Sequence, residues 1–227
     1  MNHAALRDEI CAVGASLFAR GLVHATAGNI SVRLPDGDGH LITPTDACLG
    51  RLQPTALAHV DADGKQRSGD RASKTLALHR QIYGAAPQAQ CVIHTHSTHL
   101  VALTLAAPGQ GVWRPNAILP PITPYFVMKV GRVPLIPYHR PGDPAAATLV
   151  ARAITDAATA GTPITAVMLD RLGPNVWHGS PAAAMATLEE LEETARLWLM
   201  TTPRPQPLDA AQIDQLRQAF GAVWPAH

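Results

Sequence analysis

Residues 90–97, Gln90-Cys91-Val92-Ile93-His94-Thr95-His96-Ser97, decide the fold of this chain. Apolar Cys91, Val92 and Ile93 run into two histidines at i and i+2, and in a strand such residues project from one face. Two neutral imidazoles aimed at one point begin a transition-metal site, with zinc the usual occupant. The plainer reading is a pair of strand-end histidines facing water. Ser97 is expected to cap a helix over His99–Leu105, so a buried strand ends where a helix begins, which is where sites gather. His99 would join the pair only if the strand ran on, and Ser97-Thr98 argues that it stops.

Helices and strands extend from this stretch in both directions. Residues 5–20 place apolar groups at helical spacing and stop at Gly21. His24–Arg33 reads as a glycine-marked turn running into a strand, paired through Pro35-Asp36-Gly37-Asp38-Gly39 with a strand at His40–Thr43. Ala58–Val60 and Lys65–Arg67 form a second hairpin. Ser73 is placed to cap a helix through Thr75–Tyr83. Pro108–Tyr125 is too rich in proline for a long element. Strands follow at Val133–Tyr138 and Ala166–Leu169, around an alanine-rich helix at Pro144–Ala160. The longest helix spans Pro181–Thr201, its four glutamates read as a solvated face. Thr202–Pro207 is a stiff linker to an amphipathic helix near Leu208–Val223.

Composition narrows the class. Of 227 residues, 47% are apolar and 15% charged, so there is material for a core and no disorder pattern. Lys plus Arg is 18 and Asp plus Glu is 17, a balance that excludes a nucleic-acid binder driven by net charge. Cys11, Cys48 and Cys91 stand far apart, which argues against a disulfide framework or a cysteine zinc site. A charged start and the lack of a long apolar run predict no membrane association and a place in the reducing cytoplasm. Glutamate occurs only at Glu9, Glu189, Glu190, Glu192 and Glu193, so carboxylate chemistry in the middle of the chain falls to aspartate.

Three further stretches suit an anion. Gly28-Asn29 can bend the chain so that backbone N–H groups converge, although an ordinary turn has the same look. Thr43-Pro44-Thr45 and Ser73-Lys74 add hydroxyls, amides and one of only three lysines, Lys65 and Lys129 being the others. Together these make a kit for a phosphate.

The order of these motifs, Gly28-Asn29-Ile30-Ser31, Ile42-Thr43-Pro44-Thr45, Ser73-Lys74 and His94-Thr95-His96-Ser97, resembles the class II aldolase/adducin family from about Leu6 to Leu199. A narrower resemblance is to its sugar-acid phosphate branch, the 3-oxo-tetronate 4-phosphate decarboxylases. It rests on Ile122–Gly131, Pro134–Tyr138, Arg140-Pro141-Gly142-Asp143-Pro144 and Leu188–Ala195. The resemblance implies an α/β three-layer sandwich, a mainly antiparallel central sheet with helices on both faces, assembled as a homotetramer. On this reading residues 1–202 are the aldolase-like domain, and residues 203–227 are a linker and terminal helix.

The resemblance also assigns roles. His94 and His96 would hold Zn2+ or another divalent metal, which polarises a substrate carbonyl so that a neighbouring C–C bond can break. Gly28, Asn29, Thr45, Ser73 and Lys74 would bind the phosphate of a small sugar-acid substrate. Lys74, Thr75 and Tyr125 are the candidate catalytic residues, with Tyr125 offering a proton from its loop. Three positions depart from the family pattern. Thr75 stands where the family has an acid/base Glu, Leu172 where it has a third metal histidine, and Asp46 where the phosphate loop has Gly. A hydroxyl is a poor base, so decarboxylation, which needs only protonation of an enolate, suits this chain better than aldol cleavage. His178 is the best stand-in for the third histidine, ahead of His139, Asp46 and Asp170. The alternatives are a repurposed, non-catalytic scaffold, an aldolase on a sugar phosphate, and a different enzyme with an unphosphorylated substrate, which Asp46 favours.

Overall fold

Cys91, Val92, Ile93 and His94 are all buried, and their alternation feeds two separate cores. In the computed structural model, which describes residues 3–107 and 109–225, this strand lies inside an eight-stranded sheet. Pro108, the start of the proline-rich stretch, and residues 1–2 and 226–227 lie outside the described residues. The strands are β1 (Asn29–Arg33), β2 (His40–Ile42), β3 (Ala58–Val60), β4 (Gln66–Ser68), β5 (Cys91–His94), β6 (Leu135–Ile136), β7 (Ala166–Leu169) and β8 (Gly173–His178). Their order is β4-β3-β2-β1-β5-β8-β7-β6, antiparallel at every pair except β6–β7.

Helices α1 (Ala4–Ala19), α3 (Thr98–Leu105) and α6 (Pro181–Met200) cover one face, packed on Ile30, Cys91, Ile93, Met168 and Val176. Helices α2 (Leu76–Ala85) and α5 (Pro144–Thr159) cover the other, packed on Val92, Val167, Leu169 and Trp177. The period-2 alternation of each strand thus serves both layers. The remaining helices are α4 (Pro124–Lys129) and α7 (Ala210–Phe220). The terminal segment folds back, burying Ile213 and Trp224 in the α1/α3/α6 core, with the Trp224 ring 5.9 Å from Phe126. No described helix is long and apolar enough to cross a membrane.

Several local expectations change. Ser97 precedes α3 but does not cap it: its hydroxyl donates to the Leu22 carbonyl at 3.1 Å. The cap comes from Glu192, whose carboxylate accepts from the His99 and Leu100 amides at 2.9 and 3.0 Å. Glu192 is only 7% exposed, so the glutamate run of α6 is not all solvated. A carboxylate at a helix N-terminus meets the positive end of its dipole, which accounts for the burial. Ser73 likewise leaves α2 uncapped, its hydroxyl lying 2.6 Å from the Thr75 hydroxyl. Strand β8 is not among the expected strands, and Pro174 near its start lies opposite Met168.

Candidate active site

Strand β5 is held from both sides by glycines that approach its C-terminal backbone. Gly28 has φ +84°, and a Cβ there would stand 2.8 Å from the His94 carbonyl. Gly173 has φ +141°, and a Cβ there would stand 1.9 Å from the Thr95 carbonyl. Both positions need a residue without a side chain. They bring the turn before β1 and the start of β8 against the strand end that carries the histidines.

Across the sheet, Asn29, His94 and Asn175 lie in one row. His94 is buried, and its Nδ1 donates to the Pro174 carbonyl at 2.8 Å, which leaves Nε2 as the lone-pair nitrogen. The His94 and His96 rings have centres 5.0 Å apart at 70°. Burial holds His94 down to about 4, helped by the neighbouring His96, and burial lowers His96 too, with His24 adding to the effect. Both are therefore neutral imidazoles at pH 7, the form that binds a metal. A zinc ion bonded at about 2.0–2.1 Å to two imidazoles keeps their ring centres roughly 5 Å apart at the tetrahedral angle. The pair fits a divalent ion as two of its ligands.

The rest of a coordination shell is not assembled. Among the described residues no group of three or more His, Cys, Asp or Glu side chains is set to hold an ion. Leu172 and Thr75 line the cavity beside the pair and offer no imidazole or carboxylate. His178 is corrected as a third ligand: β8 runs antiparallel to β5, so His178 pairs with Cys91 while Asn175 pairs with His94. It is exposed at the far end of the strand. His99 turns away to bond Glu192 through Nδ1 at 2.8 Å.

A cavity of about 450 Å³ opens above His94 and His96, between the N-terminal ends of α2 and α5. Its walls include Gly28, Asn29, Thr45, Ser73, Lys74 and Thr75, so residues scattered over half the chain meet beside the histidines. The two hydroxyl-bearing loops are strapped together: the Thr45 amide donates to the Arg71 carbonyl at 2.9 Å and the Ser73 amide to the Thr43 carbonyl at 3.3 Å. Asp46 also lines the cavity, with φ +57°, a backbone setting in which its missing glycine would be more at ease. His139 and Asp170 are on the walls as well. Tyr125 is not brought to this cavity; it lies on α4, 56% exposed, with the Lys129 ammonium 5.8 Å from its ring centre. Sequence reasoning missed Gln81 and Arg140 as cavity residues. Arg140 was legible only as part of the Arg140–Pro144 string, whose position beside the histidines depends on strand order.

Behind the row, His79 of α2 is fully buried with Nδ1 2.7 Å from the Ser31 hydroxyl. Burial, with His94 and His40 nearby, pushes its pKa down to about 3. Because the unfolded imidazole titrates near 6.5, the unfolded chain binds a proton between about pH 6.5 and 3 that the folded chain refuses. Stability present above pH 6.5 is therefore lost as pH falls through that window. The slope is about 1.4 kcal/mol per pH unit, or roughly 2 kcal/mol at pH 5. Urea denaturation at pH 7.5 and pH 5.0 should show the loss, and a His79→Asn protein should show a shallower one. An equal loss in both proteins would remove His79 as its source.

Residues 8–199 match the family model described as Class II Aldolase and Adducin N-terminal domain. A 3-oxo-tetronate 4-phosphate decarboxylase of Cupriavidus necator is 54% identical over 228 residues, 98% of this chain and 99% of that one. An Escherichia coli K12 protein of the same name is 42% identical over 93% of this chain and 95% of its own. The crystal structure of YgbL from Escherichia coli superposes with a TM-score of 0.82 at 38% identity, covering 96% of this chain and all of that one.

Proposed function

Because this chain belongs to the class II aldolase and adducin family, we propose that it is a carbon–carbon lyase that decarboxylates a 3-oxo-tetronate 4-phosphate or a close sugar-acid phosphate. The observation that carries the reading is the meeting of Gly28, Asn29, Thr45, Ser73 and Lys74 with His94 and His96 in one cavity. The two near full-length relatives of that name support the same substrate class.

His94 and His96 would hold the divalent ion, zinc by the chemistry of two neutral imidazoles, with water making up the shell. When bound, such an ion supplies Lewis acidity toward a substrate oxygen. The chain's own groups do the rest. Lys74 is the compact cation for the phosphate, joined by the hydroxyls of Thr45 and Ser73 and by the turn at Gly28-Asn29. In the reaction the C1–C2 bond breaks, CO2 leaves, and the electron pair passes to the C3 oxygen as an enolate. A proton then adds at C2 to give a three-carbon ketone phosphate. No strong base is required, in keeping with a Thr75 hydroxyl that hydrogen-bonds Ser73.

Residues 1–202 would carry the reaction and residues 203–227 brace the fold. A homotetramer is part of the proposal, supported by exposed apolar Tyr125, Tyr138, Met200 and Phe220. So is a reducing cytoplasmic setting, in keeping with three free cysteines. The alternative of a scaffold without catalysis draws on Thr75 and Leu172. Two parallel assays separate them, CO2 release from 3-oxo-tetronate 4-phosphate and aldehyde release from ketose 1-phosphates. CO2 release alone is expected. Aldehyde without CO2 would make this an aldolase, and no product in either assay would favour the scaffold.

A further inference from the structure

Resting on that reading, we infer that the cavity holds a second anion subsite, built on Arg140, which takes the carboxylate of the substrate. Lys74 and Arg140 are the two Lys or Arg residues among the described residues that line it. They arrive from opposite directions. Lys74 follows β4, in a segment tied to the loop after β2, on one side of β5. Arg140 follows β6, which lies beyond β8 and β7 on the other side. The histidine pair at the end of β5 stands between them.

The loop that carries Arg140 is braced, and its acidic neighbour Asp143 feels the Arg140 charge but makes its hydrogen bonds elsewhere. Pro137, Pro141 and Pro144 stiffen it. The Asp143 carboxylate accepts from the Ala145 amide at 3.0 Å as the N-cap of α5, and its other oxygen lies 3.7 Å from His139 Nδ1. Among the described residues the Arg140 guanidinium makes no ion pair or side-chain hydrogen bond, either with Asp143 or with Asp170 on the adjoining wall. Arg140 is exposed and lines the cavity; a guanidinium is a planar fork with five donors, matched to a carboxylate, whereas an ammonium among hydroxyls and backbone amides suits a phosphate.

A 3-oxo-tetronate 4-phosphate carries one anion at each end. Anchored at both, it would lie with C2 and C3 over His94 and His96. A ketose 1-phosphate has one anion and leaves Arg140 without a partner, so the subsite selects acids over aldol substrates. Its kinetic character follows from the charge flow. While the C1–C2 bond is breaking the carboxylate still carries most of its charge, so the Arg140 contact serves bound substrate and transition state about alike. Arg140 is thus a specificity residue that lowers KM and does not raise kcat.

The test uses calorimetric titration of the full chain with erythronate 4-phosphate, which has both anions, and with erythritol 4-phosphate, which has only the phosphate. Wild type should prefer the first at least tenfold. Arg140→Met should erase that preference while leaving erythritol 4-phosphate binding within twofold, and should raise KM at least tenfold with kcat nearly unchanged. Lys74→Met should weaken both ligands at least tenfold. Arg140→Lys should restore part of the preference, and melting curves confirm that each variant folds. The inference is overturned if wild type shows no preference, if Arg140→Met weakens both ligands alike, or if kcat falls as far as kcat/KM. A wild type that releases no CO2 yet shows the preference keeps the subsite and removes the decarboxylase reading. CO2 release with the preference intact in Arg140→Met does the reverse.

Discussion

A protein with His94 and His96 both changed to alanine is expected to release CO2 at least a thousandfold more slowly than wild type, about 4 kcal/mol of transition-state stabilisation. The two ring centres lie 5.0 Å apart, and burial holds the pKa of both below the ordinary imidazole value. The bond from His94 Nδ1 to the Pro174 carbonyl fixes which nitrogen is offered. Equilibrium dialysis against zinc should find the bound ion gone. The fold should survive with a loss of about 1–3 kcal/mol, because the Pro174 carbonyl keeps only the longer bond from the Thr95 amide, at 3.4 Å. Since two imidazoles are fewer than the three protein ligands usual for catalytic zinc, wild-type affinity should already be modest and chelators should strip the ion readily. Undiminished CO2 release from the double variant would place the reacting centre elsewhere in the cavity.

Gly173→Ala should be among the most damaging single changes, at roughly 3–5 kcal/mol, from overpacking added to a backbone angle that L side chains resist. The new Cβ would overlap the Thr95 carbonyl at 1.9 Å and approach His96 Cα at 3.2 Å. Relief requires β8 to move away from the end of β5. That also pulls the Pro174 carbonyl from His94, so zinc binding should fall together with the urea midpoint. Gly28→Ala acts on the other side of the same strand, where the nearest carbonyl would be 2.8 Å away, and should cost less. Gly179, with open space around it, provides the control. If Gly173→Ala melts within 2 °C of wild type, the close approach does not hold the site together.

The sequence by itself determined whatever depends on neighbours along the chain. Two histidines at i and i+2 after an apolar run were expected side by side, and their rings do lie 5.0 Å apart, although β5 ends at His94 and His96 lies just past it. The helices at Ala4–Ala19, Pro144–Thr159 and Pro181–Met200 follow from apolar spacing and from glycine or proline at their ends. The stretches that meet in the cavity, Gly28-Asn29, Thr45 and Ser73-Lys74, were also legible, since their residue types and order match the family pattern.

Tertiary structure decided what depends on strand order. Gly173-Pro174 reads locally as a turn, yet it opens β8, because pairing with Met168 and Leu169 outweighs a proline near a strand start. That one difference sends His178 to the far end of the strand and sets Asn175 beside His94. Glu192 looks solvated in a run of four glutamates, but α3 lies against α6 and turns it into a buried cap 93 residues from His99. Lys74 and Arg140, 66 positions apart, line one cavity only because β4 and β6, which precede them, fall on opposite sides of β5. Local periodicity fixes which way a side chain points from its own element, while the long-range packing of apolar faces fixes which elements become neighbours.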